Sequence, residues 1–423
     1  ANNTTGDNNV AVGGIRSLEK NTTGDNNVAA GGYENLRNNT TGIFNVAMGG
    51  FFSLKSNTAG QYNVAMGGFS SLERNTTGNY NTAVGGYWSL RNNRLGNYNV
   101  AMGGFFSLSN NSTGGYNVAM GGYKSLEKNS NGNYNTAVGG HSSLSNNSTG
   151  DNNVAVGGVR SLEENTTGDY NTAVGGNLSL NRNTIGSYNV AIGGYNNLLN
   201  NTTGFNNVAI GGDSTLQENT TGGYNVALGG GLKDNTTGND NIGLGDNAGN
   251  GLSTGSNNIF IGSGTPATSS SVSNQIRLGN TSISTAYVQV GWSTTSDRRW
   301  KMDIATLPYG LDLLKELRPV SYTRKNSPEL GKEIGFIAQE VETAMEKVGF
   351  EDQGLLTIDD KGYYALRYTD FIGLAIKSIQ EQQTQIECQQ TELDHKDKML
   401  NALQKENEQI KERLKMIEQK LGL

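Results

Sequence analysis

Apolar and polar positions recur in blocks of one fixed length through more than half of the chain. Glycine returns every 18 residues, at Gly6, Gly24, Gly42 and onward to Gly222, without a slip in register. Counted from each of these glycines, Asn stands at +3, Val or Thr at +4 and Ala at +5, as in Asn63-Val64-Ala65. Gly-Gly then closes the apolar run, and Leu follows at +12, as at Leu18, Leu36 and Leu54. Asn-Thr-Thr or a close variant leads into the next glycine. A strict period of this size marks a solenoid or an array rather than a globular domain.

Each unit is too short for a helix pair and too rich in glycine for helix at all. The pattern predicts two short strands per unit, one around Val64-Ala65-Met66 and one around Ser71-Leu72. Gly-Gly and Asn-Thr-Thr-Gly supply the corners, where positive φ or side-chain-to-backbone hydrogen bonds are needed. One unit is then one coil of a β-solenoid or β-roll, and thirteen coils stacked at ~4.8 Å make a shaft of roughly 60 Å. A single coil holds little apolar surface: one Val or Met, one Ala, one Leu and an aromatic or two. That is too little to offset its ordering entropy, so three chains packed around a common axis are expected. The register breaks where Gly238 arrives two residues early. Residues 241–245 and 258–262 read as degenerate coils, and 263–275 as a Ser/Thr-rich linker. Gln275-Ile276-Arg277-Leu278-Gly279 and Ala286-Tyr287-Val288-Gln289-Val290 read as strands that close the shaft.

The motif Asn-Val-Ala-Met/Val-Gly-Gly resembles the head repeats of trimeric autotransporter adhesins over residues 1 to about 230. That resemblance implies left-handed parallel β-rolls in trimers. The period here is longer than in the best-known heads, and the aromatic after Gly-Gly is distinct.

Charge then separates the chain into two languages. Up to Ser296 there are 13 Lys+Arg and 15 Asp+Glu; from Asp297 onward, in less than half the length, there are 19 and 23. The charged part carries four blocks in order: Ser296-Asp297-Arg298-Arg299-Trp300-Lys301, Leu317-Arg318-Pro319-Val320-Ser321-Tyr322, Gly335-Phe336-Ile337-Ala338-Gln339-Glu340-Val341-Glu342 and Tyr364-Ala365-Leu366-Arg367-Tyr368. Over residues 293–385 these look like the endosialidase-type intramolecular chaperone, an autoproteolytic serine peptidase domain of phage tailspikes, tail fibres, bacterial surface proteins and a eukaryotic transcription factor family. The resemblance implies that Ser296 is the nucleophile and Lys301 the general base, with Asp297 flanking the scissile bond. It also implies that the domain registers three chains before cleavage locks the trimer. A serine hydroxyl needs a base, and a lysine serves as one when burial lowers its pKa; Trp300 is the neighbour expected to remove water. A serine attacking its own carbonyl would close a four-membered ring. Attack within one chain therefore favours the Thr295–Ser296 bond, attack across the trimer relaxes that constraint, and both stay open. The sequence runs through both sides of the position, so a chain that keeps its tail is the competing expectation.

From Ile379 a heptad begins: Ile379, Ile386, Leu393, Leu400, Asn407, Leu414 and Leu421 hold one seam position. Leu403, Ile410 and Ile417 hold the other in the second half, and Gln382, Gln389 and Lys396 in the first. The spacing predicts a coiled coil of ~40 residues whose polar layers set register. A monomer cannot bury such a seam.

The net charge of −6 contains no basic block, which disfavours nucleic acid and anionic membranes. No apolar run is long enough to span a bilayer. His141, His395 and Cys388 do not make a metal site, no cofactor is expected, and Cys388 falls on the outer face of the coil. Tyrosines at 62, 80, 98, 116 and 134 form one aromatic column, and Tyr33, Phe51, Phe69, Tyr87, Phe105 and Tyr123 another. Each is read as a structural ladder of packed rings in preference to a glycan-stacking surface.

The expected architecture is mostly β: a trimeric repeat shaft over 1–238, degenerate coils and neck over 239–295, a small α+β chaperone domain over 296–378, and a trimeric coiled coil over 379–423. The expected function is a structural or adhesive extracellular fibre, on a cell, virion or injection particle. A cell-surface glycan or host receptor is its outside partner, and single-turnover self-cleavage its only enzymatic activity. The alternative is a phage-type tailspike or tail fibre with a glycan-binding or depolymerising role.

Overall fold

A computed structural model of the chain describes residues 3–325, 328–350, 354–359 and 362–422. It divides into two compact units, Ala1–Ile283 and Ser284–Leu423.

In the first unit, sixteen three-residue strands, β1 (Val10–Val12) through β16 (Ile276–Leu278), pair in sequence order in one parallel sheet. The chain is a β-solenoid of about 15 turns. Register follows the period, with Val46 against Val64 and Val64 against Thr82. From Ala29 to Ala227 the middle alanine of each strand is fully buried, and its neighbours at +4 and +6 stay partly open.

The second predicted strand does not form. Ser70 and Leu72 have φ of +58° and +54°, and the same pair recurs through the repeat. Left-handed backbone on alternate residues cannot propagate a strand. A single parallel bridge per coil, such as Phe51 to Phe69, replaces it. Leucine tolerates this conformation because the Leu72 N–H donates to the Ser89 carbonyl at 3.0 Å while the side chain is fully buried. The left-handed cost of about 1–2 kcal/mol is offset by about 1.5–3 kcal/mol from burying the leucine. The second glycine of each corner has no such latitude. Gly68 sits at φ +74°, and a Cβ there would stand 2.1 Å from the Gly86 carbonyl oxygen.

Most of the buried side chains of this unit are polar, which the repeat pattern did not disclose. Asn at +3 and +15 is fully buried in nearly every coil. Asn63 Nδ2 donates to Asn45 Oδ1 at 3.1 Å and to the Gly78 carbonyl at 2.8 Å. Asn57 Nδ2 donates to Asn39 Oδ1 at 2.8 Å and to the Gly60 carbonyl at 2.9 Å. Two continuous amide ladders therefore run beside the Ala and Leu columns. Buried amides are tolerable because they are paired. This also explains how a coil with so few apolar residues closes within one chain.

The solenoid continues past the break in register. β14 (Ile242–Leu244) and β15 (Ile259–Ile261) extend the sheet. The segment expected to be a linker, 263–275, forms a further coil in which Pro266 bridges to Asn250 and Thr265 and Ala267 are buried. Phe260 takes the alanine position, fully buried and paired with Gly243. β16 forms as expected. Residues 286–290 make no strand, and Tyr287 is 94% exposed.

The second unit holds α1 (Leu311–Glu316), the antiparallel pair β17 (Val320–Tyr322) and β18 (Glu333–Gly335), and α2 (Ala338–Lys347). A second antiparallel pair, β19 (Leu356–Ile358) and β20 (Tyr364–Leu366), precedes α3 (Phe371–Leu421). Its small core gathers Leu313, Val341, Ala344, Met345, Phe350 and Leu374. The charged blocks supply these elements: Val320-Ser321-Tyr322 is β17, Ala338 opens α2 and Tyr364-Ala365-Leu366 is β20. α3 has 51 residues, about 77 Å at ~1.5 Å per residue. Its heptad residues Ile386, Leu393, Leu400 and Leu403 are all exposed.

Candidate functional site

The strongest chemical candidate is the turn that follows Ser296. The Asp297 carboxylate accepts from the Arg299 backbone N–H at 2.8 Å and caps a single 3₁₀ turn, Arg298–Trp300. The Trp300 N–H donates to the Asp297 carbonyl and the Lys301 N–H to the Arg298 carbonyl, both at 3.1 Å. This tight turn folds Lys301 back, and its Nζ lies 2.6 Å from Ser296 Oγ in a hydrogen bond. The two residues paired in the sequence are thus brought into contact by local backbone geometry alone.

Asp297 is occupied differently. Its carboxylate holds the Arg299 guanidinium, with Nη2 at 2.7 Å. The Arg299 side chain first, and its backbone N–H second, hold the carboxyl below its ordinary range. The carboxylate is therefore a cap and an ion-pair partner here. Trp300 is 82% exposed, so it does not remove water from Lys301 within one chain. Ser296 and Lys301 are themselves exposed. Apolar residues on both sides of the pair, Trp292 and Met302 among them, are exposed as well.

Contacts the sequence did not suggest organise the rest of the unit. Glu381 on α3 accepts the Leu311 N–H at 2.8 Å and caps α1. The Tyr368 hydroxyl accepts the Phe336 N–H at 3.1 Å, and the Phe336 and Phe371 rings stack at 5.1 Å. Arg318, just before β17, pairs with Glu340 on α2, tying two of the charged blocks together. Spacing alone could not pair residues 22 or 70 positions apart.

In the first unit, Phe44, Tyr62, Tyr80, Tyr98, Tyr116 and Tyr134 form one unbroken stack with centroids 4.7–5.0 Å apart and planes within 11° of parallel. Each inner ring gives both faces to its neighbours. Sugar stacking needs a free ring face, so this column offers edges and hydroxyls along its length. In the other column Phe69 and Tyr87 stack at 5.1 Å, Tyr33–Phe51, Phe51–Phe69 and Tyr87–Phe105 are tilted, and edge contacts run to the neighbouring Phe52 and Phe106; Lys55 lies over Phe52 and Arg91 over Trp88, each 4.3 Å from the ring centre. The first column is a structural ladder of the kind the spacing suggested; the second is interrupted at Tyr123, which meets Phe106 rather than Phe105.

Among the described residues, no helix is long and apolar enough to cross a membrane. Residues 296–350 match the family model Peptidase_S74, chaperone of endosialidase. No curated protein matches the chain. The match begins at Ser296 and covers the Ser296–Lys301 turn, β17, β18 and α2. A chaperone-of-endosialidase segment behind a β-solenoid shaft fits a phage-type fibre or tailspike.

Proposed function

We propose that the chain is one protomer of a homotrimeric extracellular fibre whose tail drives assembly and then cuts itself at Ser296. The observation that carries this reading is the 2.6 Å Lys301 Nζ to Ser296 Oγ contact at the start of the chaperone-of-endosialidase match. The family implies trimer assembly, and the exposed heptad seam of α3 supplies a surface for it.

In this reading the domains divide as 1–238 shaft, 239–295 neck, 296–378 chaperone and 379–423 coiled coil. Assembly covers the apolar residues around the turn and strips water from Lys301, a requirement for a lysine base. The neutral Nζ takes the Ser296 Oγ proton as Oγ bonds to a peptide carbonyl carbon. The C–N bond then breaks, and the amine leaves with the proton returned by Lys301. Water hydrolyses the resulting ester. Within a chain the ring-size constraint directs attack to the Thr295–Ser296 bond, and across the trimer to a neighbour's backbone. The released shaft is the working fibre, on a virion, injection particle or cell. Coils such as 95–125 contain no Asp or Glu, which argues against a glycan-hydrolysing shaft with paired carboxylates.

The test is intact mass under denaturing conditions for the wild type beside Ser296→Ala and Lys301→Ala. The expected result is a wild-type chain ending near Ser296 and two full-length variants. A full-length mass for all three would make the tail a permanent assembly domain and end the self-cleavage claim.

A further inference from the structure

The second aromatic column differs from the tyrosine stack in what its rings leave uncovered. Tyr33, Phe51, Phe69, Tyr87, Phe105 and Tyr123 stand at +9, one per coil, and a backbone bridge joins each to the next. Three of its pairs, Tyr33–Phe51, Phe51–Phe69 and Tyr87–Phe105, are tilted by 30–35° with centroids 6.0–6.3 Å apart. Rings set this way do not cover one another face to face, and Phe51 and Phe105 are 53% and 55% exposed. Half-buried rings at +10 brace the column edge-on: Phe52 meets Phe69 at 81° and Phe106 meets Tyr123 at 87°.

This platform is confined to part of the shaft. Beyond it the +9 position holds Ile15 on one side, and His141, Val159, Asn177, Tyr195 and Asp213 on the other. A second copy of the chain packed in register would need the same surface in every coil, so a chain-to-chain contact does not account for six aromatic rings in succession. Five steps of ~4.8 Å make the platform about 24 Å long, and each step is close to the length of one pyranose unit in an extended polysaccharide. The three cations that lie over its rings, Lys55, Arg91 and Lys124, are each paired with a carboxylate, Glu34 at 2.8 Å, Glu73 at 2.9 Å and Glu127 at 3.4 Å. They bring no free charge to a ligand. An exposed apolar patch rimmed by polar groups marks a binding surface. Open ring faces beside paired polar groups match the C–H faces and hydroxyl edges of a neutral sugar.

We propose that the +9 aromatic platform over residues 33–123 binds a neutral linear glycan laid along the shaft, one sugar ring to a coil. This rests on the fibre reading and deepens it by naming the receptor class and its site.

The test is calorimetric titration of the full chain with three neutral hexasaccharides, cellohexaose, xylohexaose and mannohexaose, and with anionic hexagalacturonate. At least one neutral hexamer is expected to bind, and more tightly than hexagalacturonate. Phe51→Ala and Phe105→Ala, both at exposed rings, should each weaken that binding about tenfold, while Phe105→Trp preserves it. Tyr98→Ala, in the stacked column, should leave it unchanged, and unaltered far-ultraviolet circular dichroism shows that each variant folds. No binding of any neutral hexamer, tighter binding of hexagalacturonate, or an equal loss in Tyr98→Ala overturns the proposal. So does a Phe105→Cys thiol, in a Cys388→Ser background, that resists maleimide in the assembled protein, because another copy then covers the platform. The fibre reading is decided separately, by sedimentation of the same sample, and a monomeric parent protein is what overturns it.

Discussion

In the shaft unit, column leucines such as Leu36, Leu54 and Leu72 are fully buried inside one chain, whereas the tail helix leaves Ile386, Leu393 and Leu400 more than half exposed. The shaft closes its core with contacts one coil apart, and each coil repeats the last. The tail has a core of a few side chains and a 51-residue helix that extends beyond it. What differs is where the missing partner lies. A coil finds its partner 18 residues along the same chain, and an α3 heptad residue finds none within it. A solenoid whose stability sums over neighbouring coils can therefore hold its fold alone, while the tail leaves its heptad seam uncovered within the chain.

The largest expected effect comes from breaking the tail seam. Leu400→Glu with Leu403→Glu should convert the full chain to a monomer by sedimentation while the shaft keeps its β-sheet circular dichroism. A trimer that survives both charges would show that the shaft alone holds the assembly.

Next is a shaft core position. Leu108→Ala should cost about 2–5 kcal/mol, read as faster amide exchange confined to its own coil and the adjacent ones. Loss of protection along the whole shaft would mean that coils do not behave as neighbours in series. A smaller loss of about 1–3 kcal/mol is expected for Asn99→Leu, again by amide exchange. This change removes the donor to the Gly114 carbonyl and the acceptor for the Asn117 N–H. No measurable change would mean the amide ladder contributes nothing net.

The smallest effect is electrostatic. Glu34 is buried, which would raise its pKa, yet Lys55, Arg16 and Arg37 around it lower the value below the ordinary one. A carboxyl depressed in the folded state adds stability above its unfolded pKa and loses it as pH falls through the folded one. Coils around Glu34 should therefore exchange faster at a pH below the ordinary glutamate range, and Glu34→Gln should flatten that dependence. An unchanged pH profile in Glu34→Gln would assign the sensitivity elsewhere.

The 18-residue period, the strand at +4 to +6, the chaperone-like tail and the Ser296–Lys301 pairing were all legible in the sequence. Each depends on residues near one another along the chain: a period, a run or a five-residue turn. The failures share the opposite feature. Leu72 looked like strand because leucine suits one, yet its φ of +54° is left-handed and its N–H pairs with Ser89 on the next coil. Residues 263–275 looked like a linker because their polar side chains carry no period, yet Asn250 and the buried Thr265 draw them into a coil. Trp300 beside Lys301 looked like a shield, and tertiary position leaves it in solvent.

By itself, then, the sequence determined the repeat, its register and the local turn that joins serine to lysine, because these follow from spacing and backbone chemistry. Only the tertiary structure decided which asparagines enter the core, which face of the sheet stays apolar and open, and which side chains near Ser296 are left uncovered. Burial is a property of what packs against a residue, and that neighbour can lie one coil away or on another element.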